Sequence, residues 1–366
     1  MPENKSHHYV PQMYMRLFSE DATRVGVFVI RTGKFIPQAP IRGQACRDYF
    51  YGKDPSAERA FGTIEGHAAK LFKDAIEYRT LPASGSEDHE RLIFFLGIQH
   101  CRTMTAAEQH NEGSVKALKA VLRRKAELEG NDFILEHLDK VRITRTNAVS
   151  EIVSYATIGA NLLADLAFVV VVNESEVAFV SSDAPVVLHN RLFEGQHINV
   201  TGYANVGLQL FLPLGPRLAL FGYDPAAYYV SANGRGAVRV TDAADVRLIN
   251  DLQWEAAHAV MLVAPDTARE ELVFCGTRWR SLRKTERVLF REEVVEDNGD
   301  QVRTRQGSGE APSSIALDLS FVELRLPIPP RLGSYEIPPF RDPARVARTD
   351  RAFAVMDDLE GRRRRG

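Results

Sequence analysis

Cysteine is scarce in this 366-residue chain: Cys46, Cys101 and Cys275 are the only three, an odd number without metal-ligand spacing. That excludes a disulfide framework or zinc knuckle and points to free thiols in a reducing cytoplasm. No long apolar run occurs; the stretch around Ala167–Val172 is far too short to span a bilayer. Residues 1–9 are polar and lack the apolar core of a signal peptide. Neither charge sign dominates, since the formal net charge is -2. Affinity for nucleic acid or anionic lipid therefore requires a local patch, not a global field. A P-loop, a dinucleotide glycine fingerprint, a nucleophile elbow and internal repeats are all absent, which disfavours the common nucleotide and hydrolase families.

What remains is a soluble globular composition, 45% hydrophobic and 26% charged, long enough for one large domain. Val25–Ile30 and Phe35–Pro37, joined by Arg31-Thr32-Gly33-Lys34, read as a β-hairpin. A helix is expected over 56–78, started by Asp54-Pro55-Ser56, with Phe61, Ile64, Ala68, Leu71, Phe72 and Ala75 at helical spacing. A second helix over 87–105 is apolar nearly all round, a polar helix follows to about 128, and another spans about 147–166.

Beyond residue 166 the chain turns to strands. Hairpins are expected from Ala167–Val172 with Val177–Ser181, and from Gly207–Leu212 with Arg217–Tyr223. A helix at 243–257, a strand at 259–263 and a helical turn at 266–271 follow. Residues 297–314 read as an exposed loop. Alternation from Ile315 to Phe321 reads as a strand with a bulge, followed by a proline-rich extension and a basic tail, Arg362–Arg365. This order implies an α+β fold: an N-terminal hairpin, a central helical cluster and a largely antiparallel sheet in one domain over 1–296, with 315–366 as a C-terminal extension. The hairpin and the later strands are expected in one sheet system.

The most distinctive stretch is Ser6-His7-His8-Tyr9-Val10-Pro11-Gln12-Met13-Tyr14-Met15-Arg16-Leu17-Phe18. An aromatic, histidine-rich beginning implies a docked segment, because free termini fray and carry solvated residues. It resembles the opening of a mostly bacterial family, domain of unknown function 4238, whose members start His-His-Tyr-Val-Pro-Gln-x-Tyr-Leu-Arg-x-Phe. Met13 and Met15 depart from that string but stay apolar. The resemblance extends over about residues 5–265, through Asp48-Tyr49-Phe50-Tyr51, Ile64-Glu65, Gln99-x-x-Arg102, Ser182-Asp183-Ala184-Pro185 and Pro213 to Arg217. It implies a shared fold and a shared polar cluster, and no particular chemistry.

Several residues could carry chemistry. His7 and His8 suit acid/base or metal-ligand roles near neutral pH. Adjacent strand side chains point to opposite faces, so only one of the two should enter a given pocket. Glu65 falls within an apolar helix face, where a carboxylate needs a partner. Arg102, sharing a face with Gln99, is the expected partner, and the pair is either a structural salt bridge or part of a site. Asp183 is either an Asx-turn residue before Pro185 or a carboxylate placed at a hairpin end.

Ser6–Pro11 also looks like the first strand of a His-Asn-His nuclease, yet no Asp or Glu immediately precedes His8, and the helix carrying Glu65-Gly66-His67 comes some fifty residues later without an evident Asn. Arg278, Arg280, Arg283 and Lys284, with Trp279 interleaved, form a basic run that is either a solvated face or a phosphate contact. The leading expectation is a hydrolase acting on phosphodiesters through His7 or His8, Glu65, Gln99, Arg102 and Asp183, with a divalent metal as candidate cofactor. The rival is a non-catalytic module binding nucleic acid or protein.

Overall fold

The computed structural model describes the chain apart from residues 1–4, 54–55, 145–147, 235, 283–285, 298–301, 334 and 364–366. A short strand β1 (Ser6–His8) leads through Pro11 into one helical turn, α1 (Gln12–Met15). The expected hairpin follows as β2 (Arg24–Val29) and β3 (Lys34–Pro40), and β4 (Cys46–Asp48) returns to pair antiparallel with β1.

Next come the helices α2 (Ser56–Tyr78), α3 (Glu87–Cys101), α4 (Met104–Glu129), α5 (Asp132–His137) and α6 (Ala148–Gly159). The expected start of α2 at Asp54-Pro55 lies outside the described residues. The single helix expected over 87–105 divides at Arg102. Thr103 has an extended backbone and its hydroxyl accepts from the Ala106 amide, which caps a new helix. Local capping overrides the continuous apolar pattern there, and Arg102 sits at the break.

The remaining elements are β5 (Ala167–Asn173), β6 (Ser181–Ser182), β7 (Val187–His189), β8 (Gln209–Pro213), β9 (Leu218–Tyr223), β10 (Tyr228–Val230), β11 (Ala237–Val240), α7 (Ala243–Ala256), β12 (Val260–Val263), α8 (Arg269–Leu282), β13 (Val288–Asp297), β14 (Val302–Glu310), β15 (Val322–Leu324) and α9 (Pro343–Arg363). The architecture is α+β and mostly antiparallel. The N-terminal hairpin lies in a four-stranded sheet, β3-β2-β12-β6, while five later strands form a second sheet, β11-β5-β9-β8-β7. The hairpin thus joins only some of the strands after 167.

The inner strands of both sheets are buried on both faces, while β3 at one edge is largely exposed. Leu210, Leu212, Leu220 and Leu262 belong to a core cluster shared with α2, α3 and α6. Their neighbours Phe211, Phe221 and Met261 belong to a second cluster shared with α7, α8 and residues 315–322. Alternating side chains of one strand layer therefore join helices above to helices and coil below. Tyr14 ties the opening stretch to both sheets: its hydroxyl donates to the Pro213 carbonyl and accepts from Ser181 Oγ, each at 2.7 Å.

Four local expectations are corrected. Ala167–Val172 does not pair with Val177–Ser181. β5 lies between β9 and β11 as a two-sided core strand, and Ser181–Ser182 pairs with β12. Residues 302–310 are not loop but one arm of the β13–β14 ribbon, whose base is bound by Glu112 and Lys116 of α4. Ile315, Leu317, Leu319 and Phe321 alternate inward, but only Val322–Leu324 is strand. Carboxylates replace a ladder here: Glu255 takes the Ser314 amide, Glu194 that of Leu317 and Asp245 that of Ser320. Residues 343–363 form a helix that takes in Arg362 and Arg363 of the expected tail, with Asp342 accepting from the Arg345 amide and Pro343 in the first turn, while Arg364 and Arg365 lie outside the described residues.

Gly97 of α3 marks a close approach to residues 160–163, since an added Cβ would lie 2.6 Å from Ala160 Cβ. Gly97→Ala gains about 1 kcal/mol of helix propensity but overpacks this contact at a cost of about 1–3 kcal/mol. We expect a urea midpoint at or below the wild-type value; a higher one would contradict the close packing.

Candidate functional site

The β1–β4 pairing sets His7 opposite Arg47 and His8 opposite Cys46, and strand alternation then separates the two imidazoles. His7 is turned into the protein, 3% exposed. Its Nδ1 accepts from the Tyr51 amide at 3.2 Å, so Nε2 carries the proton toward Glu58 Oε2, 3.4 Å away. Its ring stacks on Tyr51. His7 is therefore a wall element that positions Tyr51 and Glu58.

His8 faces the other way, onto an open cleft of about 370 Å³ lined also by Gln12, Arg16, Tyr51, Glu58 and Glu65. His8 Nε2 lies 3.2 Å from the Arg42 carbonyl. The neutral tautomer satisfying that carbonyl keeps its proton on Nε2 and leaves Nδ1 as an acceptor. Burial lowers the pKa of His8 below 6.5, and the Arg42 carbonyl, Glu65 and Glu58 pull it back up in part. The imidazole is thus neutral at pH 7 but stands beside two carboxylates that favour its protonated form.

The expected Arg102–Glu65 pair is a direct contact, Nη1 to Oε1 at 2.9 Å, and Gln99 orients it. Gln99 Oε1 accepts from Arg102 Nε at 2.8 Å, while its amide nitrogen donates to the Tyr9 carbonyl at 3.0 Å. The Phe61 ring lies 5.0 Å from the guanidinium. Burial is unequal: the Arg102 side chain is 2% exposed and that of Glu65 26%. Arg102 lies behind the cleft wall and touches it through Glu65, Phe61 and Tyr51. Tyr51 closes the floor, its hydroxyl donating to the His8 carbonyl, with burial pushing its pKa up to about 12.

The cleft adjoins a second hollow that shares Gln12 and Arg16 and adds Arg24 and Arg42. Arg16 donates to the Ala22 carbonyl and the Gln12 side chain, and Arg24 to Gln38. No carboxylate pairs with the side chains of Arg16, Arg24 or Arg42 among the described residues. One end of the groove is thus acidic with an imidazole, and the other carries three guanidiniums.

Asp183 is brought elsewhere. Its fully buried carboxylate accepts from the amides of His258, Ala259 and Val260 at 2.8, 2.8 and 3.3 Å. It anchors the start of β12 rather than forming an Asx turn. Burial raises its pKa against those three donors. The basic run is also engaged in part: Arg278 and the Trp279 indole both bind Asp251, and Arg280 binds the Gly276 carbonyl and Thr277. Arg283 and Lys284 lie outside the described residues. Among the described residues no three His, Cys, Asp or Glu side chains are grouped as metal ligands.

Three cleft residues were missed in the sequence although signals existed. Gln12 and Arg16 stand four apart in the opening string, one helical turn after Pro11, and Glu58 precedes Glu65 by two turns on α2.

A family model described as "Protein of unknown function (DUF4238)" matches residues 6–266, and the chain belongs to that family. No curated protein and no solved structure matches the chain. The matched span contains every residue of the His8 cleft and ends just after β12, before α8, the ribbon and α9. Among the described residues no helix is long and apolar enough to cross a membrane.

Arg102→Ala leaves a cavity and frees Glu65 and Gln99, and we expect a loss of about 3–5 kcal/mol of stability. Glu65→Gln keeps an acceptor for Nη1 but leaves the buried guanidinium without its counter-charge, and should also cost several kcal/mol. A loss below about 1 kcal/mol for Glu65→Gln in chemical denaturation would show that charge pairing is not what holds Arg102.

Proposed function

We propose that the protein is a hydrolase acting on phosphodiesters at the His8 cleft. The observation that carries this reading is the groove itself. His8, neutral near pH 7, shares one cleft with Glu58 and Glu65, and the adjoining hollow presents Arg16, Arg24 and Arg42. A phosphodiester anion suits the guanidinium end, where planar N–H donors can bind its non-bridging oxygens. His8 Nδ1 then takes a proton from the attacking water as a new phosphorus–oxygen bond forms. The ester bond to the leaving alcohol breaks, and that oxygen takes a proton from solvent. Glu58 and Glu65 stabilise the imidazolium that results, in the direction they already shift its pKa. Arg102 and Gln99 are positioning residues that hold Glu65. His7 holds Tyr51 and Glu58, and Asp183 takes no part in the reaction.

A non-catalytic nucleic-acid module built on α8 is less well supported, because the Trp279 indole is hydrogen-bonded to Asp251. The three free thiols favour a cytoplasmic setting for the activity.

The test is a screen of bis(4-nitrophenyl) phosphate and of RNA and DNA oligonucleotides. His8→Ala should lower kcat/KM by about 10²–10⁴-fold with an unchanged melting temperature, and Arg16→Ala should act mainly on KM. The base form of His8 is the active one, so the rate should fall on acidification, with an apparent pKa below 6.5. Absence of turnover across the panel, or full activity in His8→Ala, would overturn the proposal; oligonucleotide binding without cleavage would favour the module.

A further inference from the structure

A second cavity, of about 130 Å³, lies where the α3–α4 break, the chain just after β6, the end of α7, the end of α8 and the base of the β13–β14 ribbon meet. It shares no lining residue with the His8 cleft. Part of its lining, including Trp279 and Glu310, comes from beyond the family-matched span, so the pocket belongs to this chain as a whole.

Its apolar wall includes the indoles of Trp254 and Trp279, both 5% exposed. Two polar groups in the lining have unfilled hydrogen-bonding capacity. The first is His100. Tyr203 has one hydroxyl proton, directed at the Gly97 carbonyl at 3.1 Å. His100 Nδ1, 2.9 Å from the same oxygen, satisfies both contacts by donating to it. Nε2 is then a bare acceptor. Burial pushes the His100 pKa down to about 4, so the ring stays neutral at pH 7. The second is Gln109, whose carboxamide has no partner among the described residues. By contrast Glu310 already accepts from Asn199, and Arg287 donates to the Ala257 carbonyl.

We propose that this cavity binds one planar, uncharged six-membered heterocycle with adjacent ring N–H and carbonyl groups, the chemistry of a pyrimidine base. Size sets the single ring: a cavity of about 150 Å³ takes one benzene. The indoles favour a flat face. A neutral imidazole acceptor calls for an N–H donor, and a carboxamide can meet the carbonyl and the N–H side by side. The charged groups of the lining, Glu255, Arg287 and Glu310, are each engaged by protein groups, which leaves the neutral imidazole and carboxamide to choose the ligand.

The experiment is a titration of the full chain with free uracil, followed by NMR shifts of the tryptophan indole N–H groups. Benzene and adenine serve as probes of polarity and size. Gln109→Leu keeps the bulk and removes the amide, and should weaken uracil binding about tenfold, the loss of one hydrogen bond. Ala106→Leu projects into the cavity and should abolish binding. Because His100 is also tied to Tyr203, its replacement is a poor test, and these two variants are read only with wild-type-like melting curves. Saturable uracil binding lost in both variants, with weaker benzene and adenine, supports the assignment. No saturation at tens of millimolar, equal binding by both variants, or preference for benzene or adenine would overturn it.

Discussion

A guanidinium cannot give up its proton, and Arg102 is buried almost completely. An unpaired charge in such a place would cost several kcal/mol, comparable with the stability margin of a domain. The protein offsets this with a chain of contacts that crosses its first hundred residues. The Tyr9 carbonyl binds Gln99, Gln99 binds Arg102, and Arg102 binds Glu65 at the edge of the cleft. One end of the chain docks the opening strand; the other fixes a carboxylate beside His8. The same electrostatic requirement therefore holds the N-terminal stretch in place and shapes the groove.

The rest of the opening stretch follows from that docking. With Tyr9 held, alternation turns His7 inward against Tyr51 and Glu58 and turns His8 outward to the groove. Five residues further on, Tyr14 reaches Ser181 of one sheet and the Pro213 carbonyl of the other. A segment without much regular structure of its own thus joins the helical layer to both sheets. The break between α3 and α4 serves the same end, because a continuous helix would not leave Arg102 at a junction facing α2.

Polar side chains also organise the C-terminal third. Glu194, Asp245 and Glu255 bind amides of residues 314–320, giving an extended segment the partners that a neighbouring strand would supply. This places Leu317, Leu319 and Phe321 against the β8–β9 side of the second core cluster without lengthening a sheet. Asp183 does comparable work at the start of β12, where its carboxylate holds three successive amides. Buried carboxylates in this protein are mostly backbone clamps, and the acidic groups of the groove differ in meeting solvent.

Periodicity in the sequence determined the helix over 56–78, the β2–β3 and β8–β9 hairpins and the α+β class, because each depends on contacts between residues near in the chain. The cost of burying Glu65 and Arg102 determined that they must pair, and alternation determined that His7 and His8 must part. Tertiary structure alone decided which of the two histidines meets the cleft, since both satisfy the same local pattern. It also moved Asp183 from a presumed turn to the β12 amides, paired β5 with β9 and β11, and placed Arg16, Arg24 and Arg42 around one hollow. Those outcomes rest on which distant backbone groups come within hydrogen-bonding reach, and that is set by the packing of whole layers rather than by any residue's neighbours in the chain.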